Sequence, residues 1–130
     1  MPSAYSGPER RRSVRIAVRF ILTYQVHEPI KVRMWIGNKE VSALMLDLSP
    51  EGMAILTQYE IPLATILAMS FTLINLQAEK DKQMRSMGIM GEVRYASQEG
   101  YEQRLGISFT HIGKEDKVAI ASFITAARNE

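Results

Sequence analysis

Ile66-Leu67-Ala68-Met69-Ser70-Phe71-Thr72-Leu73-Ile74-Asn75 places Leu67, Met69, Phe71 and Leu73 on one parity and Ala68, Ser70 and Thr72 on the other. A period of two is the signature of a strand with one face in a core and the other toward solvent. The pattern recurs on both sides of this stretch. Upstream, Val18, Phe20, Leu22, Tyr24 and Val26 alternate with Arg19, Thr23 and Gln25. Downstream, Met87, Ile89, Gly91, Val93 and Tyr95 share a parity, as do Leu105, Ile107 and Phe109. Between the first two stretches, residues 30 to 36 predict a second strand, Gly37-Asn38 a short turn, residues 40 to 48 a third strand and residues 53 to 58 a fourth. The hydrophilic run 77 to 85 predicts a hairpin loop, and residues 97 to 100 a turn.

The pattern changes at the end of the chain. From 113 to 128, Val118, Ile120, Ala121, Phe123, Ile124 and Ala127 follow helical spacing, with Glu115 and Asp116 near the start and Arg128 near the end, as the helix dipole prefers. Six or seven short antiparallel strands and one terminal helix predict an all-β barrel with the helix packed across an open mouth or flank. No internal repeat or low-complexity segment interrupts this plan.

A length of 130 residues supports one domain and is too short for two ordinary ones. The hydrophobic fraction of 46% against 23% charged residues excludes disorder along the whole chain. With no cysteine, disulfides, thiolate zinc sites and cysteine nucleophiles are excluded. Neither a signal-peptide pattern nor an apolar run near the roughly 18 to 20 residues of a membrane span is present, so a cytoplasmic location without membrane insertion is expected. His27 and His111 lie far apart without paired carboxylates, and no nucleophile–base order or phosphate-cradling glycine loop is legible. The expectation is a protein that is not an enzyme and needs no cofactor or metal. The eight methionines read mainly as core filling, and Trp35 as packed within an apolar strand.

The charge is unevenly distributed. Arg10, Arg11, Arg12, Arg15 and Arg19 face a single acidic residue, Glu9, within the first 20 positions, although the whole chain carries only +2. Basic charge confined to one short arm favours a compact anionic partner over a nucleic-acid lattice. In Pro8-Glu9-Arg10-Arg11-Arg12-Ser13-Val14-Arg15, Arg11 and Arg15 are four apart and share a face whether the arm is extended or helical, and Arg15 and Arg19 repeat the spacing. Extended, an interval of four spans about 13 Å. A guanidinium fork binds phosphate oxygens bidentately and matches the O6/N7 edge of guanine.

A second element follows the third predicted strand. In Asp47-Leu48-Ser49-Pro50-Glu51-Gly52, Ser, Pro and Gly occupy favoured positions of a type I turn. Asp47 and Ser49, two apart at a strand end, offer a carboxylate that accepts guanine N–H donors and a hydroxyl that serves a phosphate or a backbone amide. Gly52 provides either a close backbone approach or a positive φ.

Arg11-x-x-x-Arg15 before the first strand and Asp47-x-Ser49-x-x-Gly52 after the third resemble the two signature motifs of the PilZ domain family. Gly91-Glu92-Val93-Arg94-Tyr95 and Leu105-Gly106-Ile107-Ser108-Phe109 are similar to its paired late strands, so the likeness covers nearly the whole chain. The resemblance implies a six-stranded antiparallel β-barrel with a C-terminal helix that binds cyclic di-GMP. The first residues contain Pro, Ser, Ala and Gly without apolar periodicity, which predicts a flexible tail over residues 1–9 ahead of a domain over residues 10–130 that includes the arm and the helix. Arg11 and Arg15 would grip phosphate and guanine, with Asp47, Ser49 and Gly52 forming the other wall. Arg10, directly before the pair, is similar to the arginine of members that take up an intercalated ligand dimer. Tyr95 stands where relatives often place Trp, and a phenol ring can still stack on a base. The implied function is that of a receptor whose arm orders on the ligand and signals to an as yet unidentified effector protein. Two other readings stand beside it: an interaction adaptor of the same fold that does not bind the nucleotide, and a barrel that binds single-stranded nucleic acid. The second is disfavoured by an aromatic content of 8%, most of it on core parities.

Overall fold

The computed structural model describes residues 14–37 and 39–128. Within them, six antiparallel strands close in a ring: β1 (Ile16–Glu28), β2 (Val41–Ser49), β3 (Gly52–Thr57), β4 (Ile66–Ile74), β5 (Met84–Glu99) and β6 (Glu102–His111). The spatial order is β1-β2-β3-β6-β5-β4, and β4 returns to β1, so every strand has a partner on both sides. A closed sheet has no free edge to pair with another chain. The residues 97 to 100 expected to form a turn instead extend β5 to Glu99, and the hairpin closes at Gly100 and Tyr101. The hydrophilic run before β5 contains a single 3-10 turn, Lys80–Lys82, and gives way to strand at Met84.

The alternation that marked the strands also fills the barrel. Leu22, Tyr24 and Val26 of β1, Leu67, Met69, Phe71 and Leu73 of β4, and Leu105 and Ile107 of β6 are all buried in one cluster. Among the described residues, Tyr24 is the one large polar side chain fully inside, and its hydroxyl pairs with Thr57 Oγ1 at 2.7 Å. Burial pushes the Tyr24 phenol above its ordinary value, and the hydrogen bond to Thr57 offsets this in part.

Residues 30 to 36 are the main departure from the sequence reading: they form a helix, α1 (Ile30–Ile36), and not a second strand. Ile30, Val32, Met34 and Ile36 fit a period of two, but Val32 and Ile36 are also one helical turn apart, and a run this short fits both periods. The punctuation decides. Pro29 occupies the N-cap, and Gly37, with φ +99°, donates its N–H to Arg33 O at 2.9 Å. Val32 and Ile36 join the core, while Trp35, expected to be packed in a strand, lies 66% exposed on the outer face. The second helix, α2 (Lys114–Arg128), is the predicted one. It buries Ile120 and Ile124, packs Phe123 on Phe20 with ring centroids 5.8 Å apart, and is tied to β5 by Arg85 Nε donating to Asp116 Oδ1 at 2.8 Å.

Tyr95 also departs from expectation. It shares a parity with Val93 in sequence, yet Val93 is buried and Tyr95 is exposed. The register explains this: Val93 pairs with Ile107 and Tyr95 with Gly106, so Arg94 is an extra residue and β5 bulges there. A bulge resets the alternation, and Tyr95 turns outward.

Tyr24→Phe isolates the buried hydroxyl pair. The variant should lose about 1 kcal/mol, because Thr57 Oγ1 is left without its partner. Since the folded-state phenol pKa is raised above the unfolded value near 10.0, Tyr24 favours folding below that pH, and the contribution is lost as pH rises through the folded value. Urea titrations at pH 8 and above pH 10 should therefore show a steeper alkaline loss for the wild type than for the variant.

Candidate functional site

Asp47 reaches the outer surface through a second bulge. Val41, Ala43 and Met45 of β2 are buried in alternation, and strict continuation would carry Asp47 inward. Instead Met45 pairs with Ile55 and Asp47 with Ala54, leaving Leu46 as the extra residue, so that Leu48 takes the inward place and Asp47 the outward one. The carboxylate then collects donors from three directions. Oδ1 accepts from Arg15 Nη1 at 2.9 Å and from the Ala54 N–H at 3.0 Å, and Oδ2 lies 3.6 Å from Arg104 Nη2.

Arg15 directly precedes β1, which is paired with β2 from Ile16↔Leu48, and the pairing carries the arginine to the carboxylate 32 residues away. Ser49 is buried, and its hydroxyl serves the turn: it accepts from the Gly52 N–H at 3.2 Å and the Glu51 N–H at 3.3 Å, and donates to Gly52 O at 3.3 Å. Of the two amide or phosphate roles open to it in sequence, the backbone one is occupied. Gly52 is required by close approach and not by φ. A Cβ there would stand 2.2 Å from Ile107 O on β6, and 3.4 Å from Arg15 Nη2. Thus Arg15, Asp47, Ser49 and Gly52 come together, while the predicted Arg10 and Arg11, together with the tail, lie outside the described residues.

Arg104 belongs to the same cluster although no motif singles it out. Leu105 and Ile107 face inward on β6, so Arg104 is on the outward parity, and that alternation was the signal available in sequence. It pairs laterally with Leu56 of β3 and extends diagonally across that strand to Asp47 on β2. Arg15, Arg19, Arg104, Asp47 and Glu99 line one shallow trough. A separate groove lies between α2 and the β4–β5 hairpin, lined among others by Leu73, Met84 and Val118, and it shares no residue with the trough.

One row of paired residues crosses the outside of the barrel at this level. Ala17 opposes Asp47, Asp47 opposes Ala54, Ala54 opposes Gly106 and Gly106 opposes Tyr95. Directly opposed residues share a face, so Asp47 and Tyr95 stand on the same surface, separated by three interstrand steps or about 14 Å. Ala54 and Gly106, which stand between them along the row, are themselves buried. Tyr95 leans over Gly106, where an added Cβ would come within 1.9 Å of its ring.

The matched sequence signature is that of the PilZ domain, over residues 9–126. The chain belongs to the PilZ domain family. Among solved structures it is similar to the inhibitor of motility MotI/DgrA of Bacillus subtilis, with TM-score 0.69 and 17% identity over 93% of this chain and 53% of that one. It is also similar to YcgR of Escherichia coli in complex with c-di-GMP, with TM-score 0.64 and 14% identity over 92% of this chain and 46% of that one. The PilZ domain of YcgR alone, solved with c-di-GMP, gives TM-score 0.61 and 15% identity over 92% of this chain and 93% of the domain. This PilZ chain therefore spans about half the length of MotI/DgrA and of YcgR. No curated protein matches it in sequence. Among the described residues, no helix is long and apolar enough to cross a membrane, and no group of three or more His, Cys, Asp or Glu could hold a metal ion.

Gly52→Ala tests the close approach of β3 to β6. The methyl would meet a backbone carbonyl that cannot swing aside, so the variant should lose about 1 to 3 kcal/mol in urea denaturation. Gly88→Ala, where nothing lies within 4 Å of the added carbon, is the control and should stay within about 0.5 kcal/mol of wild type.

Proposed function

We propose that this PilZ domain is a cyclic di-GMP receptor. The observation that carries the reading is the Arg15–Asp47 contact at 2.9 Å: it joins the last arginine of one signature motif to the first residue of the other, at the rim of an open trough. Support comes from family membership and from the likeness of fold to PilZ proteins solved with c-di-GMP. In this reading Arg11 and Arg15 grip phosphate and guanine, Asp47 accepts guanine N–H donors, and Ser49 and Gly52 hold the corner that aims Asp47. Arg10 extends the same arm toward a second, stacked ligand molecule. Tyr95 offers its ring to a base on the same outward row.

The domain comprises residues 10–130, preceded by a tail over residues 1–9, and the ligand orders the arginine arm against the barrel. The ordering of a segment costs conformational entropy, so affinity rests on several charge-assisted bonds together with stacking. The receptor is not an enzyme, requires no cofactor, acts in the cytoplasm and passes its signal by contact to an effector protein. Nucleic acid is not its ligand.

Calorimetric titration with cyclic di-GMP, with linear GMP as control, tests this reading. Wild type should bind the cyclic ligand. Arg11→Ala and Arg15→Ala should each lose about tenfold or more, or 1 to 3 kcal/mol, without unfolding the barrel. Unchanged affinity in both variants removes the two arginines from the site, and a silent wild type that retains a protein in a pull-down favours the adaptor.

A further inference from the structure

The two oxygens of Asp47 are not equivalent. Oδ1 is satisfied by two donors at ordinary hydrogen-bond lengths, 2.9 Å from Arg15 Nη1 and 3.0 Å from the Ala54 N–H. Oδ2 has Arg104 Nη2 beside it at 3.6 Å, beyond the roughly 3.2 Å of a good N–H···O bond. A carboxylate oxygen with spare acceptor capacity thus stands next to a guanidinium with spare donors, and both line the trough. Arg104 has no fixed geometric commitment to Asp47, and with a third of its side chain exposed it has freedom to re-aim.

This pairing of one acceptor with one donor fork has a definite chemical complement. Guanine presents N–H donors at N1 and N2 beside the acceptor O6, with N7 as a further acceptor. Adenine presents an amino donor where guanine has O6 and has no N–H at N1, so against the same pair it would set donor to donor and acceptor to acceptor. We propose that Arg104 is a specificity-determining residue of the ligand site, donating to the guanine O6/N7 edge while Asp47 Oδ2 accepts from its N–H groups. This assignment rests on the cyclic di-GMP reading above. Arg15 and the Ala54 N–H keep Oδ1 in place, so the carboxylate is held still while Arg104 exchanges its long contact for the base. A buried or half-buried polar pair that must be matched rejects an analogue that leaves it unpaired far more strongly than a shape difference does.

The test is a competition titration of the full chain against labelled cyclic di-GMP, with unlabelled cyclic di-GMP and cyclic di-AMP as competitors, for wild type, Arg104→Ala and Arg104→Lys. Arg104→Ala should weaken cyclic di-GMP at least tenfold and narrow its advantage over cyclic di-AMP. Arg104→Lys keeps the charge without the planar fork and should restore only part of the loss. Melting temperatures near wild type are expected, because Asp47 retains Arg15 and Ala54. Equal or tighter binding by Arg104→Ala, or full recovery by the lysine, overturns the assignment while leaving the receptor reading intact. A loss shared equally by both nucleotides also overturns it, since Arg104 would then answer to charge and not to the base. If wild type binds neither nucleotide, the receptor reading itself fails and this one with it.

Discussion

The direction in which Asp47 points is the constraint on which the outer surface depends. One extra residue, Leu46, converts a position that alternation would place in the core into one that faces the trough. Without the bulge, an unpartnered carboxylate would be buried in the core beside Met45 and Ile55, at a cost of several kcal/mol. With it, the barrel loses no core residue, because Leu48 fills the inward place, and the carboxylate gains a strand-end arginine and a backbone amide as donors. The bulge at Arg94 does the same for Tyr95, and the two reset residues fall on one row across the outside of the barrel. Two irregularities in the ladder thus build one face.

The corner beside this face is held by packing as much as by polarity. Ser49 spends its hydroxyl on two amides of its own turn, which fixes the exit from β2 and the entry to β3. Gly52 then allows β3 to approach Ile107 of β6 more closely than any side chain would permit. The serine and glycine of the motif therefore act on geometry, and the aspartate and arginine carry the charge. A change at Ser49 or Gly52 would move Asp47, whereas a change at Asp47 would leave the corner standing.

Most of the strand plan was legible because period two survives wherever a strand has one face in the core, as at Leu67 to Leu73 and at Leu22 to Val26. It failed where a single residue interrupted the period. Neither Leu46 nor Arg94 differs in type from its neighbours in a way that announces a bulge, since an extra residue is a property of the pairing between two strands and not of one. The helix at Ile30–Ile36 failed for another reason: its apolar spacing fits both periods, and only Pro29 and Gly37 at its ends discriminate. In the site, Asp47, Ser49 and Gly52 could be named from local turn chemistry. Arg104 could not, because it reaches Asp47 across an intervening strand, and that proximity exists only once the ring has closed.

In the proposed receptor reading, the Arg15–Asp47 pair does not by itself account for tight binding. Arg15 is already engaged by Asp47, with both side chains about one-fifth exposed, so a ligand phosphate gains that guanidinium only by sharing or displacing an existing partner. Exchange of one charged partner for another returns much less than the formation of a bond from an idle group. Part of the net affinity must then come from groups less firmly held before the ligand arrives. At the trough that describes Arg104 better than Arg15. The paired Arg15 and Asp47 give the trough its shape, and in the proposed reading the loosely held Arg104 beside them adds capacity to hold an anion.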